Sequence, residues 1–406
     1  MIGKQPALNI GMVGHIDHGK TTLLYKLSGK WSDTHSEELK RGITIKLGYA
    51  DAIISKCKKC GIYTREKVCP KDGGEVEQLR YISFVDVPGH EMLMATMLSG
   101  AAIIDAALLV IAANEPCPRP QTKEHLIALQ AKGINKIIIV QNKVDAVTRE
   151  DAMKNYNEIK AFVKGTIAEN APIIPVSAKQ EVNLDAIYEA ITKLEVPKQD
   201  LKSKAIFFVA RSFDINKPGT EIKNLAGGVL GGTLKQGILR VGDEIEIKPG
   251  MSSKKHDKVT YTTLKTKILG LQAGNTKLDE ATPAGSLAIQ TSLDPSLTKA
   301  DNLSGCVVGL TGTLAEATYN LKLKVNLFKE MIGSSDKLSE VAPLKINEPL
   351  LLSANTSITV GMVNKIKGNE VELTLKIPIV VIPGSKVGMA RNQQGHWRLI
   401  GWGETN

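Results

Sequence analysis

From Gly14 to Thr21 the chain reads GHIDHGKT, two glycines five positions apart followed by a lysine and a hydroxyl. The apolar run Leu8–Val13 precedes it and a helical pattern follows, so the motif occupies a strand-to-helix turn. A chain of phosphates presents closely spaced anionic oxygens. Holding it takes a backbone that curves round with its N–H groups inward, which glycine permits, and the positive end of a helix dipole. His15, Ile16, Asp17, His18, Gly19, Lys20, Thr21 and Thr22 are expected to line that cradle. Lys20 should bridge the β and γ phosphates and the Thr21 hydroxyl should ligate Mg2+, with Asp17 a further candidate near the ion.

The base is read elsewhere. In IIIVQNKVD (Ile137–Asp145), Asn142, Lys143 and Asp145 end a predicted strand, where ligands bind in open α/β sheets. A carboxylate at Asp145 accepts from guanine N1–H and the exocyclic amine together. Adenine offers no such pair and would leave a charged acceptor desolvated, at a cost above the roughly 1–3 kcal/mol of a neutral group. Asn142 can reach the purine's other edge and Lys143 can lay its stem on the ring. Ser177, Ala178 and Lys179 follow the next strand and can cover the base with backbone amides. The nucleotide is GTP, and GDP after hydrolysis.

DVPGH (Asp86–His90) follows the strand-like YISFV. Asp86 is placed to hold Mg2+ through water, Gly89 to offer its N–H to the γ-phosphate, and His90 to orient the attacking water. KRGITIK supplies Thr44, whose hydroxyl can complete the Mg2+ shell while GTP is present. Arg41 aside, no residue stands out as an arginine finger, so hydrolysis should be slow and partner-stimulated. The expectation is a GTPase with His90 and Thr44 at the reacting end.

CKKCGIYTREKVCPKD (Cys57–Asp72) opens with C-x-x-C and closes with C-x-x-D. Three arrangements are open: structural zinc on Cys57, Cys60, Cys69 and Asp72, a three-cysteine site completed by water, or a metal-free loop. A carboxylate oxygen is an allowed but less common zinc ligand. Cys117 and Cys306 read as small core residues, and five cysteines in all do not suggest a disulfide framework. MIGKQPALN has no apolar leader core, and no apolar run reaches the roughly 18 residues of a membrane span. A cytoplasmic protein with no membrane partner is expected.

The elements that must position these residues alternate as β-α units up to about Val196. Buried strands are predicted at Leu8–Val13, Ile82–Asp86, Ala107–Ala112, Lys136–Gln141 and Ile173–Val176. Helical patterns cover Thr122–Ala131, Arg149–Lys164 and Asn183–Leu194. The fold class is an α/β P-loop GTPase domain with a mainly parallel sheet, followed by two antiparallel β-barrels. VPKQDLKSKA (Val196–Ala205) reads as a linker. Beyond it period-two alternation dominates, with Ile245 and Ile247 facing one way and Glu244, Glu246 and Lys248 the other. The expected domains are 1–200 with an insertion at about 55–76, 201–318 and 319–406. A net charge of +10 favours polyanionic partners, while only 4% aromatic residues limits base stacking, so nucleic acid would be met through phosphates and shape.

GHIDHGKTT, RGITI, DVPGH, NKVD and SAK together resemble the translational GTPases related to elongation factor Tu, which carry a G domain and two β-barrels. HSEELKRGITIKLGYADA, GHEMLMATMLSGAA, ANEPCPRPQTKEHL, RSFDINKPGT and the closing WRLIGWG look like the gamma subunit of the archaeal and eukaryotic translation initiation factor 2, essentially from end to end. That resemblance implies a heterotrimer with alpha on the second domain and beta on the G domain. It implies GTP-dependent delivery of methionylated initiator tRNA to the small ribosomal subunit, with hydrolysis after start-codon selection aided by an activating factor. It also implies a zinc knuckle with a fourth cysteine where this chain has Asp72, and an aminoacyl end near Tyr49 and the Arg211 region. Tyr49 packing on the sheet is an equal alternative. Carriers of elongator or selenocysteinyl tRNA and sulfate-activating GTPases share the P-loop, and GTP-dependent binding of initiator tRNA separates them.

Overall fold

The computed structural model describes residues 3–31, 44, 46–88, 94–256, 258–332 and 338–405. The chain divides into two compact units, Met1–Pro197 and Lys198–Asn406. No helix among the described residues is long and apolar enough to cross a membrane.

The first unit is built in the order β1 (Asn9–Gly14), α1 (Lys20–Ser28), β2 (Gly48–Cys57), β3 (Tyr63–Thr64), β4 (Val76–Asp86), α2 (Met94–Ala101), β5 (Ala106–Ala112), α3 (Pro120–Lys132), β6 (Ile137–Asn142), α4 (Arg149–Val163), β7 (Ile173–Pro175) and α5 (Leu184–Lys193). Its sheet runs β3-β2-β4-β1-β5-β6-β7, parallel from β4 to β7, with β2 and β3 added antiparallel at one edge. Every residue of β1, β5 and β6 is buried. Helices cover both faces of such a sheet, so its central strands are apolar throughout rather than alternating. Leu23, Leu24 and Leu27 of α1 pack on Ile10 and Met12 in that core. The predicted elements agree with these to within two residues, except β4. Six residues longer than the predicted strand, β4 leaves the core with Glu77, Gln78 and Leu79 exposed and pairs with β2 out to Val76 opposite Cys57.

The second unit holds two barrels. In the first, Glu244–Lys255, Val307–Leu310, Ile206–Phe213, Val229–Gln236, Leu287–Thr291 and Lys258–Ala273 follow one another, and the first and last pair to close the ring. In the second, Ala317–Leu327, Glu370–Val380, Ser357–Lys367, Pro349–Ala354, Lys386–Gln393 and His396–Thr405 close likewise. Alternation along Ala317–Leu327 is as the sequence implies: Leu321, Leu323 and Val325 are buried while Lys322 and Lys324 are exposed. The division expected at 318 falls just inside that strand, and the one expected at 200 lies three residues past the change of unit.

The outer face of Glu244–Lys255 is covered in its middle, although Glu244 is exposed as the alternation implies. Ile245 and Ile247 enter the barrel core, but Glu246 and Lys248 are also buried, at 3% and 4% exposure. The connection between the barrels lies over them. Leu314 N donates to Glu246 Oε1 at 2.9 Å, and Lys248 Nζ donates to Leu314 O at 3.2 Å and Glu316 Oε1 at 2.7 Å. Cys306 is buried and Cys117 half-buried at the approach to α3; burial pushes both thiols up, to about 11 and about 12.

Candidate nucleotide site and metal-binding knuckle

The turn between β1 and α1 takes the shape a phosphate chain requires. Gly14 has φ 138°, Asp17 φ 57° and Gly19 φ 89°. A Cβ on Gly14 would sit 2.3 Å from Val110 O, and one on Gly19 would meet Asn142 Nδ2 at 2.4 Å. Both positions thus exclude a side chain twice over, by dihedral and by space. No side chain caps the first turn of α1, so its amide donors are left for an anion. Lys20 is buried, and its Nζ crosses the loop to donate to His15 O at 2.6 Å.

Thr21, at the start of α1, meets residues from two other segments. Its Oγ1 donates to Asp86 Oδ2 at 2.9 Å and lies 3.3 Å from Thr44 Oγ1. Asp86 is fully buried at the end of β4, and Thr44 is 9% exposed. A hydroxyl with a buried carboxylate on one side and a second hydroxyl on the other is part of a donor set suited to a hard divalent cation such as Mg2+. Asp17 is exposed on the loop outside this group. His90 and Gly89 lie outside the described residues, as does Arg41.

At the base end, Lys143 takes a left-handed turn at φ 63° and starts a short 3-10 turn, Val144–Ala146, on which Asp145 is exposed. Ser177 and Val182 exchange backbone hydrogen bonds, and Ser177 Oγ accepts from Gln180 N at 3.1 Å, which closes the SAK turn. Lys179 is exposed, Ala178 buried. Asn142 is 2% exposed and spends its amide within the protein: Nδ2 donates to His18 O at 2.9 Å and Oδ1 accepts from Ala178 N at 3.0 Å. It is a strut between the phosphate loop and the base loop.

Histidines support the loop from beneath. Gly14 N donates to His125 Nδ1 at 2.8 Å, so that nitrogen carries no proton, and burial pushes His125 down to about 3. His18, 1% exposed, is lowered to about 4 by burial, with Nδ1 3.1 Å from Val110 O and Nε2 3.6 Å from Glu115. His15 is lowered too, first by burial and then by Arg119. Sequence reasoning missed His125 as a loop partner. It lies 111 residues from Gly14, and no local pattern marks it.

The knuckle is a pair of matching turns at the far end of β2 and β4. Cys57 N donates to Ile62 O and Gly61 N to Cys57 O; Cys69 N donates to Gly74 O and Gly73 N to Cys69 O. Gly61 and Gly73 both adopt positive φ, 76° and 65°. Asp72 therefore stands in the second turn where Cys60 stands in the first. The donor atoms of Cys57, Cys60, Cys69 and Asp72 all lie within 4.8 Å of one another. Asp72 Oδ1 accepts from Gly74 N at 2.8 Å, and the Cys69 thiol beside it, then Gly74 N, hold the carboxyl down at about 2. Burial pushes Cys69 up to about 11, while the Cys60 N–H lowers Cys57. Three sulfurs and one ionised oxygen this close fit a metal ion.

Residues 5–197 match the family described as the elongation factor Tu GTP binding domain, and residues 319–405 match the initiation factor eIF2 gamma C-terminal family. The translation initiation factor 2 subunit gamma of Archaeoglobus fulgidus is 55% identical over 402 residues, covering 98% of this chain and 94% of that protein. Its counterpart from Methanocaldococcus jannaschii is 54% identical over 401 residues, covering 98% and 97%. A bacterial selenocysteine-specific elongation factor has a similar fold, with TM-score 0.75 and 23% identity over 98% of this chain, which spans 58% of that one. The elongation factor SelB of Methanococcus maripaludis, solved with a GTP analogue, gives TM-score 0.71 and 24% identity over 100% of this chain and 80% of that one. With its P-loop, its Thr21–Asp86–Thr44 meeting point and this likeness along nearly its whole length, the chain belongs to the gamma subunits of translation initiation factor 2, GTPases of protein synthesis.

Proposed function

We propose that the chain is the GTP-switched carrier that brings methionylated initiator tRNA to the small ribosomal subunit and lets it go after start-codon selection. The observation that carries the switch is the approach of Thr44 to Thr21, which itself bonds Asp86. It connects a segment outside the P-loop to the site of the ion, so loss of the terminal phosphate changes what that segment holds.

In this reading His15–Thr22 backbone amides and the Lys20 ammonium bind the phosphates, and Asp145 selects guanine while Lys143 and Ser177–Lys179 enclose it. Gly89 N–H senses the γ-phosphate. His90 holds the attacking water in line with the γ-phosphorus, whose bond to the β,γ-bridging oxygen breaks. Thr21, Asp86 and Thr44 would hold Mg2+, which would offset the negative charge of the phosphates. Hydrolysis is slow until a GTPase-activating factor contributes. Cys57, Cys60, Cys69 and Asp72 hold a structural zinc that shapes an insertion too small for its own core. The alpha subunit docks on the first barrel and the beta subunit on the G domain, and the complex works in the cytoplasm.

Binding of methionylated initiator tRNA, compared between the GTP-analogue and GDP forms with and without the alpha subunit, tests this. Much tighter binding in the analogue form supports it. Equal binding in both forms removes the switch, and equal affinity for elongator methionyl-tRNA removes the initiation role.

A further inference from the structure

The second unit carries most of the charge imbalance. Lys198–Asn406 holds 27 of the 52 lysines and arginines but only 19 of the 42 acidic residues. The local excess is steep at residues 251–267, where Lys254, Lys255, Lys258, Lys265 and Lys267 face a single acidic position, Asp257. That stretch is the paired end of two long strands, Glu244–Lys255 and Lys258–Ala273, which leaves the barrel as a two-stranded ribbon. Ser253 is opposite Thr260, Lys254 opposite Val259 and Lys255 opposite Lys258.

A two-stranded ribbon is marginal in water on its own. Strand-forming residues offset this: Val259, Thr260, Tyr261, Thr262 and Thr263 run consecutively. Ser253 Oγ lies 3.0 Å from Thr260 Oγ1 across the ribbon, and Cys306 Sγ meets Gly250 O at its root. Ser252, Lys254, His256, Thr260 and Thr262 are exposed. Hydroxyls and lysines on a projecting arm serve no core.

Strand pairing fixes where the arm points. Lys248 is opposite Val307, and Val307 is opposite Phe208. The ribbon therefore leaves from the end of the barrel where the strand Ile206–Phe213 finishes, and there Arg211 Nε meets Asp301 Oδ1 at 2.8 Å. That is the end expected to face the aminoacyl terminus of tRNA.

We propose that this ribbon grips the sugar-phosphate backbone of the double-helical acceptor arm of the tRNA. Lysines spaced along a strand, about 3.4 Å per residue, can follow a row of phosphates. Ser and Thr hydroxyls can bond phosphate oxygens and the 2′-OH groups exposed in the shallow groove of an RNA helix. Such contacts position the helix without reading sequence. The inference rests on the carrier function proposed above.

The test is a titration of methionylated initiator tRNA with the full chain in its GTP-analogue form, across a series of salt concentrations. The wild type is compared with the triple variant Lys254→Ala, Lys265→Ala, Lys267→Ala, three exposed lysines on one face of the paired strands, and with the matching triple Arg variant. Removing about three phosphate contacts should make the plot of log K against log salt shallower by about 2–3, at about 0.7–0.9 per contact, and lower affinity at least tenfold at low salt. The Arg variant should keep the wild-type slope, and GDP affinity should be unchanged in all three. An unchanged slope in the Ala variant, with the wild type still preferring the GTP form, overturns the ribbon's role and leaves the carrier function standing. Wild type that ignores tRNA in both forms removes both. Unchanged tRNA binding with lost binding to the small subunit or to a partner subunit assigns the ribbon to that other surface and overturns the proposal.

Discussion

Asn142 and His18 are joined by a 2.9 Å hydrogen bond from the side-chain amide of one to the backbone carbonyl of the other. Because the same amide accepts from Ala178 N, the loop that holds phosphate and the loop that covers the base share one buried side chain. Asn142→Ala leaves a carbonyl and an N–H buried without that partner, at about 1–3 kcal/mol each. We expect a lowered unfolding midpoint in denaturant and GDP affinity reduced about tenfold or more, both read on the same preparation.

Asp145→Asn replaces the acceptor of two guanine N–H groups with a group that can match only one. GTP affinity should fall between about fivefold and two-hundredfold, the equivalent of about 1–3 kcal/mol. Xanthine nucleotide, which has an acceptor in place of the exocyclic amine, should gain. A competition titration with ATP, GTP and XTP reads both effects, and GTP binding at wild-type strength would contradict the base assignment.

His90→Ala should bind GTP as the wild type does and hydrolyse it at least tenfold more slowly, since positioned proton and water contacts contribute about a hundredfold or more. Single-turnover hydrolysis with saturating enzyme separates the two quantities.

Knuckle and phosphate loop occupy opposite ends of β4, about 30 Å apart at about 3.3 Å per residue over Val76–Asp86. Metal analysis of the purified chain should find close to one zinc. Asp72→Cys should hold it more tightly against a chelator and Asp72→Ala less tightly, both with wild-type GDP affinity. A chain purified without metal under these conditions would mark the loop as metal-free.

His125 is an acceptor only while neutral. Burial takes it from an ordinary 6.5 to about 3, so between those values the unfolded chain binds a proton that the folded chain refuses. Its contribution to stability is complete above about pH 6.5 and is lost as the pH falls toward 3, at up to about 1.4 kcal/mol per pH unit. Unfolding measured at pH 7, 6 and 5 should show this slope. His125→Asn, whose carbonyl can still accept from Gly14 N, should flatten it.

The sheet of the first unit was readable because β1, β5 and β6 are covered on both faces and so appear as unbroken apolar runs. The front half of β4 was not, since Glu77, Gln78 and Leu79 are exposed in a stretch that pairs with β2. In the pocket, the spacing of Gly14, Gly19, Lys20 and Thr21 was legible because their roles are local. What was not legible is that Asn142 is also a strut between loops that approach it from 124 residues upstream and 36 downstream. Glu246 and Lys248 obey the period-two rule in direction. What covers them is decided near Leu314 and Glu316, 68 residues on, where alternation is silent.

That covering has a consequence for how the chain can be divided. The ammonium of Lys248 sits inside the first barrel's wall, yet two of its acceptors, Leu314 O and Glu316 Oε1, belong to the stretch leading into the second. A fragment that stops after Leu310 would remove two of that ammonium's acceptors and uncover the Glu246–Lys248 pair, whose Oε2 and Nζ lie 3.7 Å apart. Two modules by architecture, the barrels are a single piece for anyone wielding scissors.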